Sequence, residues 1–205
     1  MKFFVFGDSI AHGSWDELGG WAERLKQYIN KKYPQKHFVY NLGIVYGITT
    51  KGLLKQIDPE IKTRNVDPDK VGAIIIEIGT NDSIINNKTK KLWTSEKQFE
   101  KNLHKIVKIA KKYSKNIFLL GLFPINLDPI PWDNENSYKK ENTKKFDQLV
   151  KKVCEKDKVH FIDIYEKLEE KHFENLLVDG CHPGSKGHEL IFQIVKDFLE
   201  KNRII

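Results

Sequence analysis

Apolar residues along this chain follow two rhythms that take turns. Short, mostly apolar runs occur at Phe3 to Phe6, Phe38 to Tyr40, Val71 to Ile78, Asn116 to Leu120 and Val159 to Ile162. Each run reads as a strand buried on both faces, and 71–78, the most continuous of them, as a central one. Between the runs, apolar side chains recur every third or fourth position. Trp21, Ala22, Leu25, Tyr28 and Ile29 form one such stripe, ending before Pro34, and Phe99, Leu103, Ile106, Val107 and Ala110 form another. Phe146, Leu149, Val150 and Val153 mark a third helix, and Leu190, Ile191, Ile194, Val195, Phe198 and Leu199 a last one. Leu53 to Ile57 predicts a short helical turn and Asp58 to Val66 a second, while 11–20 and 43–52 read as polar or Gly-containing loops. Strands alternating with helices predict a single-domain three-layer α/β/α sandwich over residues 1–205, a five-stranded parallel sheet with helices on both faces.

Two of the strands run into polar turns, and a third polar stretch precedes the last helix. The first strand ends in Gly7-Asp8-Ser9, the central one in Gly79-Thr80-Asn81-Asp82, and Asp179 stands three residues before His182 ahead of the last helix. Each is an ordinary turn sequence when taken alone, because Gly reaches positive φ and Asp and Ser bond their own backbone. His182 with Pro183 is also a plain approach to a helix, with Ser185 as its cap. Taken together they place a hydroxyl, a carboxamide, a carboxylate and an imidazole where open α/β sheets collect ligands. A serine hydroxyl needs a base and a group that orients the base, and the late Asp179 and His182 are of the right types.

In order, Gly7-Asp8-Ser9-Ile10, Asn41-Leu42-Gly43, Gly79-Thr80-Asn81-Asp82 and Asp179-x-x-His182 resemble the four sequence blocks of the SGNH hydrolases, also called GDSL esterases and lipases. The resemblance spans almost the whole chain and implies a flavodoxin-like strand order. Ile10 stands where the older family name has Leu. The resemblance implies Ser9 as nucleophile, His182 as general base and acid, and Asp179 as the group that orients the imidazole. It implies an oxyanion hole of the Ser9 and Gly43 backbone N–H groups and the Asn81 side-chain amide. Asp8 and Asp82 are expected to support their turns without a catalytic role, and His12 ranks below His182 because no carboxylate stands at a telling spacing.

Charge adds little to this picture. Lys and Arg total 35 against 28 Asp and Glu, a net +7. The lysines fall in pairs such as Lys111-Lys112 and Lys151-Lys152 on predicted helix faces with acids between them, so a solvated surface accounts for them and no nucleic-acid partner is expected. Cys154 and Cys181 make neither a disulfide framework nor a metal site, and reduced thiols fit a cytoplasmic protein. The apolar start is too short for a signal peptide, and no run approaches the ~18 residues of a membrane span, so stable membrane insertion is not expected. Gly47 and Gly52 lack the Lys and Ser/Thr of a phosphate loop, the seven histidines show no zinc spacing, and Ala11 spoils a Gly-x-Ser-x-Gly elbow. Gly184 to Gly187 matches a short RNA-binding loop only by its glycines. No cofactor and no metal is expected.

The chain therefore reads as a hydrolase of small-molecule carboxylic esters acting through an acyl-enzyme. Removal of sugar acetyl groups, cleavage of thioesters or lysophospholipids, and a binding module that keeps the fold without turnover are the competing readings. Oligomeric state is left open. The segment from Leu122 to Tyr138 is long, carries three prolines, and leaves the sheet on the same side as Ser9. Phe123, Ile125, Leu127, Ile130 and Trp132 are expected to line a substrate pocket there, with Phe123 and Trp132 as candidate substrate-binding residues.

Overall fold

Phe3 and Val5 pack into one hydrophobic cluster while Phe4 and Phe6 pack into another, so the first strand sends alternate side chains to opposite faces of its sheet. The computed structural model describes residues 1–65, 71–126 and 130–205. In chain order the elements are β1 (Lys2–Gly7), α1 (Ser9–His12), α2 (Gly20–Lys32), β2 (Phe38–Gly43), α3 (Thr50–Arg64), β3 (Val71–Glu77), β4 (Ile85–Asn86) and α4 (Glu96–Ala110). There follow β5 (Ile117–Leu120), β6 (Ile130–Pro131), β7 (Asn136–Tyr138), α5 (Lys140–Asp157), β8 (His160–Ile162), α6 (Tyr165–Glu169) and α7 (Ser185–Lys201).

The main sheet has the order β2-β1-β3-β5-β8 and all its pairings are parallel. That is the flavodoxin-like order, with the central β3 where the apolar run is longest. On one face Ala73, Ile75, Phe118 and Leu120 join Trp21 and Leu25 of α2 and Ile191, Val195 and Leu199 of α7. On the other, Ile74, Ile76, Ile117 and Leu119 meet Leu53, Ile57 and Ile61 of α3, Phe99 and Leu103 of α4 and Phe146 and Val150 of α5. The chain is an α/β/α sandwich. Each fully buried Phe of β1 contributes about 1.5–3 kcal/mol of transfer free energy.

Several boundaries differ from the sequence reading. The two turns expected over 53–66 are one helix, α3, which continues through Pro59. Leu53, Ile57 and Ile61 lie four apart and are fully buried on either side of the proline, so packing holds the helix together where one backbone bond is missing. Val66 lies outside the described residues. The loop expected over 11–20 begins with the single turn α1. Ser185 does not cap α7: Gly184 is the cap residue, and the Ser185 hydroxyl accepts a hydrogen bond from Arg24 at 2.8 Å. The long segment after β5 is partly ordered by pairing, since β6 and β7 form a hairpin whose second strand pairs antiparallel with β4. Two- and three-residue strands carry too little pattern to be read from sequence.

Register levels the strand ends that matter. Gly7 lies opposite Gly43 on one side and opposite Glu77 on the other, so the ends of β2, β1 and β3 come up side by side at one edge. A Cβ on Gly43 would stand 2.2 Å from the His12 backbone nitrogen, so the need for Gly there is close packing against α1. Gly43 has no positive φ, so backbone conformation is not what calls for Gly there.

Candidate active site

Asp8 caps α1, its carboxylate accepting from the Ile10 N–H at 2.9 Å, and this turn presents Ser9 at the sheet edge. As first residue of a helical turn, Ser9 has a backbone N–H with no partner inside the helix. Its hydroxyl lies 2.8 Å from His182 Nε2. His182 Nδ1 lies 2.7 Å from Asp179 Oδ2, which places the ring proton on Nδ1 and leaves Nε2 to accept from Ser9. Ser9, His182 and Asp179 thus form one continuous hydrogen-bonded chain.

The loop that carries the last two is tight. Val178 N–H donates to the His182 carbonyl at 2.8 Å and Gly184 N–H to the Leu176 carbonyl at 2.9 Å, with Gly180 at φ 86° making the turn. Asp179 Oδ1 accepts from the His182 and Cys181 N–H groups at 2.7 and 3.0 Å. Burial works to raise the Asp179 carboxyl, but the hydrogen bonds from the His182 ring and from both N–H groups outweigh it and hold the group well below the usual carboxylate range.

Trp15 is the residue the sequence did not single out. Its indole N–H donates to Asp179 Oδ2 at 3.1 Å, sharing that oxygen with His182, and its ring stands edge-on to the imidazole at 6.3 Å. The buried Arg24–Asp16 ion pair, with Asp16 also accepting from Gly20 N–H at 2.8 Å, pins the loop that carries it. A Trp in a Gly-rich loop gives no periodic signal, so its contact with Asp179, 164 positions away, is visible only in the fold.

Asn81 sits in a 3-10 turn after β3 and is 2% exposed. Its amide nitrogen donates to the Ile48 carbonyl at 3.1 Å and to Asp8 Oδ2 at 3.3 Å, while its oxygen accepts from the Tyr138 hydroxyl at 2.8 Å. The Gly43 N–H donates to Asn41 Oδ1 at 3.1 Å. Both donors are therefore engaged by neighbours. Asp82 accepts from the Thr50 N–H and hydroxyl at 2.9 and 2.6 Å and so fixes the start of α3, a supporting part. Burial pushes the Cys181 thiol well up, so it sits protonated beneath the site.

A cleft of about 590 Å³ opens over Ser9 and His182, walled by His12, Trp15, Val45, Tyr46, Gly47 and Trp132. Trp132 lines it, wedged edge-on between Trp93 and Tyr138 at ring distances of 5.5 and 6.1 Å. Phe123 does not. It is 1% exposed and stacks on Phe173 in the core, because the chain turns inward after β5 before reaching the cleft. Ile125 and Ile130 likewise pack with Ile84, Tyr138 and Cys181 under the site, while Leu127 and Pro129 lie outside the described residues. His12 borders the cleft, but no hydrogen bond ties it to Ser9 among the described contacts.

A hydroxyl, an imidazole and a carboxylate in line, under an apolar cleft, suit removal of a proton from an attacking oxygen. Comparison with known proteins agrees at the level of family. The curated "Isoamyl acetate-hydrolyzing esterase 1 homolog" of Bos taurus is 26% identical over 98% of this chain and 82% of its own length. A lipase/acylhydrolase structure from Enterococcus faecalis superposes with a TM-score of 0.74 at 21% identity, covering 98% of this chain and 96% of its own. A catalytic mutant of an acetylxylan esterase from Geobacillus stearothermophilus gives 0.71 at 22% identity, covering 97% and 92%. These two solved structures share the fold. The family model described as GDSL-like lipase/acylhydrolase matches residues 5–190, and the chain belongs to that family.

Proposed function

We propose that this protein is a serine ester hydrolase that works through an acyl-enzyme on Ser9. The observation that carries the reading is the hydrogen-bonded line from Ser9 through His182 to Asp179, opening into the cleft. Ser9 Oγ bonds to the ester carbonyl carbon as its proton passes to His182 Nε2. The bond from that carbon to the alcohol oxygen then breaks, and the imidazolium returns the proton to the departing alcohol. Water repeats the two steps and frees the acid. Asp179 keeps the ring proton on Nδ1 and stabilises the imidazolium.

The negative oxygen of the tetrahedral intermediate is received by the Ser9 and Gly43 N–H groups and the Asn81 amide. For the last two this means exchanging Asn41 Oδ1 and the Ile48 carbonyl for the substrate. Such donors contribute about 10²–10³ each in kcat. Among the described residues, the walls of the cleft are dominated by Trp15, Val45, Tyr46 and Trp132, with no Lys, Arg, Asp or Glu in the lining. That supports a neutral ester of small to medium size over a substrate with a charged head group, and the name of the bovine relative points the same way.

A fluorophosphonate probe read by intact mass should add once to the wild type and not to Ser9→Ala. p-Nitrophenyl esters of rising chain length, run beside acetylated xylo-oligosaccharides, then rank the substrates. No adduct on the wild type, or an equal adduct on Ser9→Ala, overturns the assignment.

A further inference from the structure

Beneath Ser9 the structure buries a second acid beside Asp8. Glu77, the last residue of β3, is fully inaccessible, and its Oε2 accepts from the Ala11 N–H at 3.1 Å. Glu77 lies opposite Gly7 in the sheet, so the backbone and the buried carboxyl of the next residue, Asp8, stand against it. Two carboxyl groups can share a hydrogen bond only if one keeps a proton. Glu77 Oε1 has no N–H or O–H donor, which is what a protonated oxygen facing another carboxylate looks like.

The surroundings decide where the proton sits. Asp8 accepts from Ile10 N–H and Asn81 Nδ2 and feels His182, all of which favour its charge. The other titratable groups facing the pair are Asp82, Tyr138 and Cys181, none of which supplies a positive charge. Gly7 leaves the space, since a Cβ there would lie 2.9 Å from Glu77 Oε2. Burial, then the neighbouring Asp8 charge and the hydrogen bond to it, push the Glu77 carboxyl well up.

We propose that Glu77 is a positioning residue, a buried neutral acid whose proton bridges to Asp8, so that a single negative charge at Asp8 orients the Asn81 amide and the nucleophile turn. This rests on the ester hydrolase reading of Ser9 and deepens it. Above the pH at which Glu77 gives up its proton, two like charges meet in a dry site, the turn shifts, and kcat falls. The site thus has an alkaline limit set below the nucleophile.

Glu77→Gln keeps a donor toward Asp8 and an acceptor for Ala11 and cannot ionise. It is expected to hold kcat within a few-fold of wild type and to lose the alkaline limb of the kcat profile. Glu77→Leu removes the bridge and should lower kcat by about 10²-fold with KM little changed, the scale of a misplaced reacting group. Independently of turnover, infrared difference spectra of wild type against Glu77→Gln at pH 7 should show a protonated carboxyl band belonging to the wild type. Absence of that band, an alkaline limb unchanged in Glu77→Gln, or a kcat for Glu77→Gln as low as that of Glu77→Leu would each overturn the proposal. The band reads the dyad even if Glu77→Leu does not fold. It also does so if the wild type cleaves no ester, a result that would count against the hydrolase reading alone.

Discussion

Below Ser9 the chain packs Asp8, Glu77, Asn81 and Asp82, none of them more than 2% exposed, whereas above it Trp15 and Tyr46 are 66% and 93% exposed. The floor is polar and dry, the rim apolar and wet. In the floor, acceptors and donors face one another with little water to replace them, so removing one partner leaves another unsatisfied and costs about 1–3 kcal/mol or more. The rim touches solvent on most sides and is held by few bonds, of which Trp15 to Asp179 is one. Trp15 and Tyr46 both carry φ of 66°, a left-handed backbone that costs a side chain about 1 kcal/mol or more. Strain kept at the mouth of a cleft fits a surface shaped for a ligand, while the floor is shaped for a reaction.

If that division is right, floor substitutions change kcat and rim substitutions change selectivity. The largest effect belongs to Ser9→Ala, expected to reduce kcat by about 10⁴-fold or more without unfolding the protein. Substantial turnover in Ser9→Ala, measured with any cleaved p-nitrophenyl ester, would move the nucleophile elsewhere. Next comes Asn81→Ala, expected to lower kcat by about 10²–10³ with KM much less affected, and Asn81→Asp should be no better because it offers an acceptor in place of a donor. A near-wild-type kcat for Asn81→Ala would strip the floor of its part in charge stabilisation.

On the rim the scale is smaller. Trp132→Ala should leave fluorophosphonate labelling of Ser9 intact and alter the ratio of kcat/KM between acetyl and longer esters by several-fold, the worth of about 1–3 kcal/mol of lost apolar contact. An unchanged ratio along the series would mean that Trp132 is only a brace between Trp93 and Tyr138.

The smallest effect is on stability and tests the floor together with other buried groups. Burial pushes Asp8 and Asp82 up from 3.8 to about 6, and Asp147 likewise, so between about pH 4 and 6 the native state holds protons that the unfolded chain has released. Stability from these groups is therefore present at the acid end of that window and is lost as pH rises through it, at about 1.4 kcal/mol per pH unit for each proton. His188, pushed down to about 4 by burial, pulls the other way by one proton but is outnumbered. Asp179 and Asp16 are held low, and their contribution is lost only on the far acid side, as pH falls below about 4. The expected result is a Tm a few degrees higher at pH 5 than at pH 7. A Tm that climbs across this range would mean that these buried acids, those of the floor and Asp147, are ionised in the native protein.

The alternation of apolar runs and stripes determined the sheet, its parallel sense and its helices, because a strand buried on both faces and a helix buried on one leave different periods in the chain. The polar turns at Ser9, Asn81 and Asp179 to His182 were legible because their residue types are few and fall at element ends. What the sequence did not carry is anything set by distance across the fold. Trp15 meets Asp179, and Tyr138 holds Asn81 57 positions away. Glu77 closes against Asp8, and nothing in the run Val71 to Ile78 marks that one acid as part of a pair. Phe123 shows the same limit from the other side: a proline-rich loop was read as pocket wall, and the tertiary fold turned that side chain into the core. Local pattern reports which face of an element is buried. It does not report what it is buried against, since that depends on register and on the path of distant loops, and these are settled only when the layers pack.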